Sequence, residues 1–199
     1  MKQRKKQPGI TRQSILEAAG EGFATHGYAA TGLGTIVSRA DLTKGALFHH
    51  FHDKRSLAAD WITTSLGTSI AADWIHPLDE IHSLDGLKSF CRSRCLDLHT
   101  TGPLSALVAI TAETAHSEPA LRDAAAAVFT ALRQSFAELI ERGKSAGWIH
   151  RSIQPAAEAA FIVSSVSGLT VTAKADPTDA TRRAGADALG AYLETLRAQ

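Results

Sequence analysis

The chain has 199 residues, of which 44% are hydrophobic and 21% are charged. This composition suffices for one sizeable core, or for a small module beside a larger one. The net charge of +1 hides an asymmetry, because residues 1–57 carry nine Lys or Arg and four Asp or Glu, whereas the remainder carries 12 and 16. The basic head indicates an anionic partner, with a solvated basic tail as the alternative.

No run of about 18 apolar residues is present, so we predict that no segment spans a membrane. The basic start "MKQRKKQPGI" lacks the apolar stretch of a secretory signal, and we therefore expect a cytoplasmic protein. In that reducing compartment the two cysteines, Cys91 and Cys95, do not make a disulfide framework.

The first predicted helix places Ile15, Ala19 and Phe23 on one face. Thr11 is a suitable N-cap because its hydroxyl can accept from a free backbone N–H group. Gly27 is a suitable stop because glycine adopts the left-handed conformation that ends many helices.

Two short helices and a longer one follow, and their predicted N-caps are Thr31, Thr43 and Asp53. The chain turns between the two short helices at Asp41 and Leu42. A longer helix followed by two short helices with a tight turn forms a helix-turn-helix unit. The second short helix of such a unit lies in the major groove of DNA.

Helical geometry at about 100° per residue predicts which face of this second short helix is exposed. Leu47 and Phe51 point inward and anchor the helix, whereas Gly45 and His49 point outward. The flanks of the outward face carry two rings, those of Phe48 and His50.

Three histidines, His49, His50 and His52, fall within four positions. No pair has the i, i+4 spacing that lets two imidazoles hold one ion on a helix, so we do not predict a metal site. The outward direction of these side chains favours contacts with phosphates and base edges instead.

Roughly residues 10–62 resemble the N-terminal DNA-binding domain of the TetR/AcrR family of bacterial transcriptional regulators. The resemblance is carried by "ILEAA", "HGY", "TKGALFHHF" and "DKRSL", which occur in the family's order. It implies that the third helix reads the groove, and that a lysine at the start of the fourth helix, here Lys54, touches phosphate. The groove-reading role maps onto Thr43, Lys44, Gly45, Phe48, His49 and His50.

Two residues depart from the family pattern. Phe48 stands where the family usually has tyrosine, and Asp41 stands in the turn where it usually has glycine. The chain contains no asparagine, so bidentate adenine readout by that residue is absent. Direct base contacts therefore fall to Lys44, Thr43 and His49. The predicted phosphate anchors are Thr31, His50 and Lys54, together with the basic N-terminal arm.

Beyond residue 62 the chain still has helical periodicity. Asp85 can cap one helix, and Pro119 begins a long amphipathic helix that Gly147 ends. The last two helices follow Pro155 and Pro177. The penultimate helix is rich in small and β-branched residues and poor in charge, so we expect it to be buried on more than one side.

The resemblance implies that the last two helices of each subunit build a four-helix interface in a homodimer; a core helix within a monomer is the alternative. The dimer residues so assigned are Phe161, Val166, Leu169, Leu189, Tyr192 and Leu193. The remaining helices are expected to enclose a mostly apolar pocket for a small organic effector. From apolar faces and mid-domain position, its predicted lining is Trp61, Phe90, Cys95, His99, Leu107, Phe129 and Phe136.

Cys91 and Cys95 lie four residues apart on the apolar face of a predicted helix. They are either small hydrophobic residues of a helical core, or sensors of electrophiles or oxidants. The second interpretation requires Arg92, Arg94 or His99 to lower the pKa of a thiol. Two cysteines do not supply the four ligands of a closed zinc site.

Catalytic motifs are weak or missing. "RGKS" lacks the earlier glycine of a phosphate-binding loop, and "HSEP" is not followed by the P-C-x-x-C of zinc deaminases. We therefore predict neither an enzyme nor a cofactor.

Together these patterns predict an all-α protein of about nine helices. Residues 1–52 would form a three-helix helix-turn-helix head, and residues 53–199 a helical bundle for effector binding and dimerisation. The predicted function is a one-component repressor that a small organic effector releases from a pseudo-palindromic DNA operator. A thiol-based sensor and a non-specific architectural DNA-binding protein are the alternatives, and sequence does not separate repression from activation.

Overall fold

A computed structural model describes residues 8–97, 102–176 and 178–198. The basic arm at residues 1–7, His99 and Pro177, which the sequence predictions use, lie outside these ranges. Nine helices form the described part of the chain and confirm the all-α prediction. They are α1 (Pro8–His26), α2 (Leu33–Arg39), α3 (Lys44–His50), α4 (54–75), α5 (Leu84–Asp97), α6 (Pro103–Thr114), α7 (Pro119–Ala146), α8 (Pro155–Thr172) and α9 (Ala180–Glu194).

The fourth helix is composite. It begins as an α-helix at Lys54–Asp60 and continues through a π-helical stretch at Trp61–Leu66. A single α-turn, Gly67–Ile70, and a second π-helical stretch, Ala71–Ile75, complete it. A 3₁₀ turn, His76–Glu80, follows.

The chain divides into two compact units. Unit 1 comprises Met1–Gly67 and Ala109–Ala127, and unit 2 comprises Thr68–Val108 and Val128–Gln199. Helices α6 and α7 therefore contribute residues to both units. The functional boundary that we expect between residues 52 and 53 stays a prediction.

The core of unit 1 is built on the apolar face of α1. Ile15, Ala19 and Phe23 are buried, as their spacing predicts. The ring of Phe23 meets the edge of Trp61 with 5.5 Å between the ring centroids. A Cβ atom at Gly20 would lie 2.2 Å from Nε1 of Trp61, so α1 and α4 approach each other closely only because residue 20 is glycine.

The sequence places Trp61 in the lining of an effector pocket, and that role stays a prediction. The Trp61 side chain is 5% exposed and forms part of the core of unit 1, against α1. An apolar face on a helix does not by itself distinguish a pocket wall from a core.

The helix caps and stops predicted from the sequence are confirmed in part. Thr43 accepts a hydrogen bond from the N–H group of Ala46 at 3.2 Å, and Asp53 forms a capping box with Ser56, which confirms both caps. Gly27 has a φ of +86°, as expected for the residue that ends α1. Asp41, which stands where the family has glycine, adopts a φ of +52°.

Three predicted caps are wrong. Helix α1 is already formed at Pro8, so Thr11 lies inside it. The N-cap of α2 is Gly32 rather than Thr31. The hydroxyl of Ser83, and not Asp85, accepts from the first turn of α5, from the N–H group of Gly86 at 3.1 Å.

In unit 2, α5 packs against α8 and α9. A network of ion pairs on the outside of this contact joins the first turns of α5 to the end of α9 and the residues that follow it. Lys88 bonds to Glu194 at 2.5 Å, and Arg197 bonds to Asp85 at 2.8 Å and also to Glu194. The hydrogen bonds from Arg197 and Lys88 lower the pKa of Glu194 to about 2.

The segment Pro155–Ala175 is long and apolar enough to cross a membrane by length and composition, and 33% of it is buried in the protein. The prediction that no segment spans a membrane stays a prediction. Core helices of soluble proteins pass the same test.

Candidate nucleic-acid interface and neighbouring sites

Helix α3 is anchored by one face and exposed on the other. Leu47 is fully buried and Phe51 is 4% exposed, which confirms the inward face predicted from helical geometry. The Thr43 cap begins the helix, and the N–H group of Phe51 donates to the carbonyl of Leu47 at 2.9 Å where it ends. The seven residues of α3 therefore present a fixed surface to solvent.

The outward surface of α3 carries the predicted base-reading residues. Lys44, Gly45, Phe48 and His49 are exposed, and His50 is half-buried with its ring 5.1 Å from that of His49. Among the residues that the structure describes, no three His, Cys, Asp or Glu side chains are grouped to hold a metal ion. The contacts of this surface with DNA stay a prediction.

Thr31 and Lys54, two of the predicted phosphate anchors, are occupied within the protein. Thr31 is 3% exposed, and its hydroxyl donates to the carbonyl of Gly27 at 2.7 Å, which corrects its assignment to phosphate. The ammonium group of Lys54 donates to the carbonyls of Tyr28 (2.8 Å), Thr31 (3.2 Å) and Ala29 (3.3 Å). This lysine therefore fastens α4 to the turn after α1, and its phosphate contact stays a prediction.

Sequence reasoning missed a carboxylate that holds the same turn. Glu113, near the end of α6, accepts from the N–H groups of Tyr28 (2.8 Å) and Ala29 (2.7 Å). A Cβ atom at Gly27 would lie 3.0 Å from Oε2 of this carboxylate. The contact joins residues more than 80 positions apart in the chain, so no local sequence pattern predicts it.

A second carboxylate, Glu118, lies beside the first. It bonds to Arg55 of α4 at 2.6 Å and accepts from the hydroxyl of Tyr28 at 3.5 Å. Partial burial and the Glu118 charge raise the pKa of Tyr28. Glu113, Glu118, Lys54 and Arg55 thus surround residues 27–31, and we call this set the turn clamp.

The predicted dimer residues separate into two groups. Val166 and Leu193 are fully buried inside the protomer, so their assignment to an interface is wrong. Each of the helices α8 and α9 buries one face within its own unit, which is the core-helix alternative given by the sequence. Leu189 is 5% exposed but still lines the groove described next.

The other face of α8 is open. Phe161 and Val171 are 46% and 50% exposed, and the Phe161 ring lies 4.4 Å from that of Tyr192 on α9. Phe161, Tyr192, Leu169 and Leu189 border a groove of about 360 Å³ whose remaining lining residues are small. The hydroxyl of Tyr192 donates to Glu158, which raises the pKa of Tyr192 to about 12.

Both cysteines are buried free thiols. Burial raises the pKa of Cys91, and it raises that of Cys95 to about 11. Arg92 pairs with Asp187 at 3.0 Å and Arg94 with Asp73 at 3.9 Å, so both arginines that could lower a thiol pKa have other partners. These surroundings disfavour the thiolate that a sensing cysteine needs.

The predicted effector residues of unit 2 are tightly packed. Phe90 lies between Trp74 and Phe136, with centroid distances of 6.0 and 6.5 Å. Leu107, Phe136 and Cys95 are fully buried, and Phe129 is half-buried. Their role in effector binding stays a prediction.

A groove of about 430 Å³ that sequence reasoning did not anticipate also lies in unit 2. It is lined by Asp79, Ile81, His82, Arg142, Ala146 and Trp148. Arg142 is held there by donation to the carbonyl of Leu78 at 2.8 Å. None of these residues belongs to the effector-pocket lining that the sequence predicts.

An anchored short helix with an exposed polar and aromatic face, set in a helix-turn-helix unit, defines a DNA-binding regulator of the helix-turn-helix class. A family model of bacterial regulatory proteins, tetR family, matches residues 15–60. A model of the C-terminal part of BetI-type transcriptional repressors matches residues 92–198, more than half of the chain. The chain belongs to the TetR family of transcriptional regulators.

Individual relatives agree with this assignment. The A-factor receptor protein of Streptomyces griseus is 26% identical over 167 residues, which is 83% of this chain and 56% of the receptor. The chain thus spans about half the length of that relative. The probable acrEF/envCD operon repressor of Escherichia coli K12 is 43% identical over 47 residues, 24% of this chain and 21% of the repressor.

Solved structures show the same fold. A TetR regulator from Chloroflexus aurantiacus has a TM-score of 0.84 at 21% identity, over 96% of this chain and 98% of that one. The reduced form of NemR from Escherichia coli has a TM-score of 0.80 at 15% identity, over 95% and 98%. TetR-family regulators bind operator DNA and small-molecule effectors and function as dimers.

Proposed function

We propose that this regulator is a one-component repressor that binds a pseudo-palindromic operator as a homodimer and is released by a small organic effector. The exposed face of α3 is the observation that carries the proposal. It combines a cation, a residue without a side chain and two aromatic rings on a helix that Leu47 and Phe51 hold in place.

The dimer is supported by the open groove between α8 and α9. Exposed Phe161 and Val171 lie on a helix whose other face is buried in the protomer. A second copy would cover this apolar surface, and two heads would then read two half-sites about one helical turn, or a multiple of it, apart.

The experiment that tests the proposal is selection of operator sequences from random DNA duplexes, followed by footprinting beside the gene that encodes the protein. A protected pseudo-palindrome supports a specific regulator. Uniform protection would instead support a non-specific architectural protein.

Lys44→Ala is expected to relax base preference at one or two positions of the selected operator. The lysine is exposed on α3 and is a donor suited to the O6 and N7 acceptors of guanine. Discrimination at those positions should fall by about 1–3 kcal/mol. The measurement is affinity for the operator and its single-base variants, with Lys174→Ala in unit 2 as the control. Unchanged base preferences would show that α3 is not the recognition helix.

The effector is expected to bind in unit 2. The name of one relative, the A-factor receptor protein, supports a ligand-binding role without locating it. Helix α6 includes residues of unit 2 and ends in unit 1 at the turn clamp, where Glu113 holds Tyr28 and Ala29. A shift of α6 on effector binding would therefore act directly on the turn that precedes α2. Small molecules that co-purify with the protein, identified by mass spectrometry, are the first candidates.

Glu113→Gln is expected to weaken the effect of the effector on operator affinity. The amide keeps the size of the side chain but loses the charge and one of its two acceptors. Loss of one partly exposed, charge-assisted bond of roughly 1 kcal/mol corresponds to about fivefold in the ratio of operator affinities with and without effector.

The control is Glu17→Gln on the exposed side of α1, where the carboxylate accepts from the side chain of Gln13 at 3.0 Å. Both variants are titrated with operator DNA at fixed effector concentrations. An unchanged ratio in Glu113→Gln would exclude the turn clamp from the transmission of the signal.

A further inference from the structure

Among the residues that the structure describes, three large hydrophobic side chains are exposed, and Phe48 is the one that belongs to unit 1. The other two, Phe161 and Val171, lie on α8. Phe48 is 52% exposed, although its neighbour in sequence, Leu47, is fully buried. An apolar ring on the exposed face of a recognition helix is available to a partner that removes it from water, and its burial would be favourable.

The chemistry of the ring restricts what that partner can be. A phenyl group has no donor or acceptor, so it cannot bond to a phosphate or to the polar edge of a base. In the major groove the apolar group that the bases present is the C5 methyl of thymine, and phenylalanine is among the side chains that contact it. The minor groove offers no such group.

The surroundings of Phe48 leave room for a close approach. Gly45 lies one turn earlier on the same face, and a Cβ atom there would meet only Oγ1 of Thr43, at 3.8 Å. Lys44 is the i−4 neighbour of Phe48 and is exposed. A bare stretch of backbone and a cation therefore flank the ring, so a base pair can approach both Phe48 and Lys44 without rearrangement of the head.

We propose that Phe48 is a specificity residue that reads the methyl group of one thymine in each operator half-site, next to the base read by Lys44. This inference rests on the proposed function, because it takes α3 as the recognition helix. It assigns to the phenyl ring a base contact in place of the phosphate bond that a tyrosine hydroxyl at this position would make.

The test replaces single thymines of the selected operator by uracil, symmetrically in both half-sites. This change removes the methyl group and keeps the O4 acceptor, so hydrogen-bond readout is unaffected. At one thymine position we expect the affinity of the unmodified protein to fall by about fourfold per half-site, the effect of one buried methyl group. Phe48→Ala should bind the thymine and uracil operators equally at that position.

His116→Ala is the matched control, because it removes an exposed ring of unit 1 that lies outside α3 and should keep the preference for thymine. Equal melting temperatures of Phe48→Ala and the unmodified protein will verify that the fold is intact. The inference is overturned if no thymine shows the effect, or if Phe48→Ala retains it. Failure to select any operator would instead overturn the proposed function.

Discussion

Trp61→Ala is expected to destabilise unit 1 by about 3–5 kcal/mol, the usual cost of deleting a large aromatic side chain from a core. The loss is a large part of a typical total stability of about 5–15 kcal/mol. It follows from the contact of Trp61 with Phe23 and from its fit against Gly20. Operator binding should fall with stability, because the same core supports α1 and α4 of the head.

Denaturant unfolding and operator titration on the same samples check this prediction. Trp61→Phe retains an aromatic ring and should lose less stability than the alanine variant. The competing assignment of Trp61 to an effector pocket predicts another pattern. A normally folded variant that binds operator but no longer responds to effector would contradict the core position.

Leu47→Ala should destabilise the head by about 2–5 kcal/mol. It should weaken binding to all DNA sequences by a similar factor. Leu47 is fully buried and holds α3 against the rest of unit 1, so its truncation leaves a cavity below the recognition surface. Base preferences should survive, because no exposed group is removed.

Phe48→Ala provides the comparison, since the two residues are neighbours with opposite exposure. It should leave the melting temperature unchanged and affect sequence preference alone. Thermal melts and operator titrations of both variants separate the two roles. A stable Leu47→Ala protein with full DNA affinity would show that α3 is not anchored by this residue.

The features that sequence predicted well are those set by neighbours along the chain. The inward face of α3 follows from the spacing of Leu47 and Phe51, and the caps at Thr43 and Asp53 involve atoms three residues apart. Such interactions depend on backbone geometry that one helix fixes by itself.

The features that it missed depend on distant segments. The burial of Trp61 is set by α1, about 40 positions earlier, and Glu113 meets the turn after α1 only through tertiary folding. Val166 and Leu193 were placed in the dimer interface because an apolar helix face looks the same whether its partner is in the same chain or in a second copy.

The turn clamp has a practical consequence for exchanging heads between regulators of this family. Because Ala109–Ala127 belongs to unit 1, the head is discontinuous in sequence. A chimera joined after residue 52 would bring a foreign turn to Glu113, which here binds Tyr28 and Ala29. A chimera joined after residue 67 would also bring a foreign start of α4 to Glu118, which here binds Arg55. A transplanted head therefore needs the end of its own α6 and the start of its own α7. DNA specificity and the response to effector are exchangeable only when both pieces of the chain are transferred together.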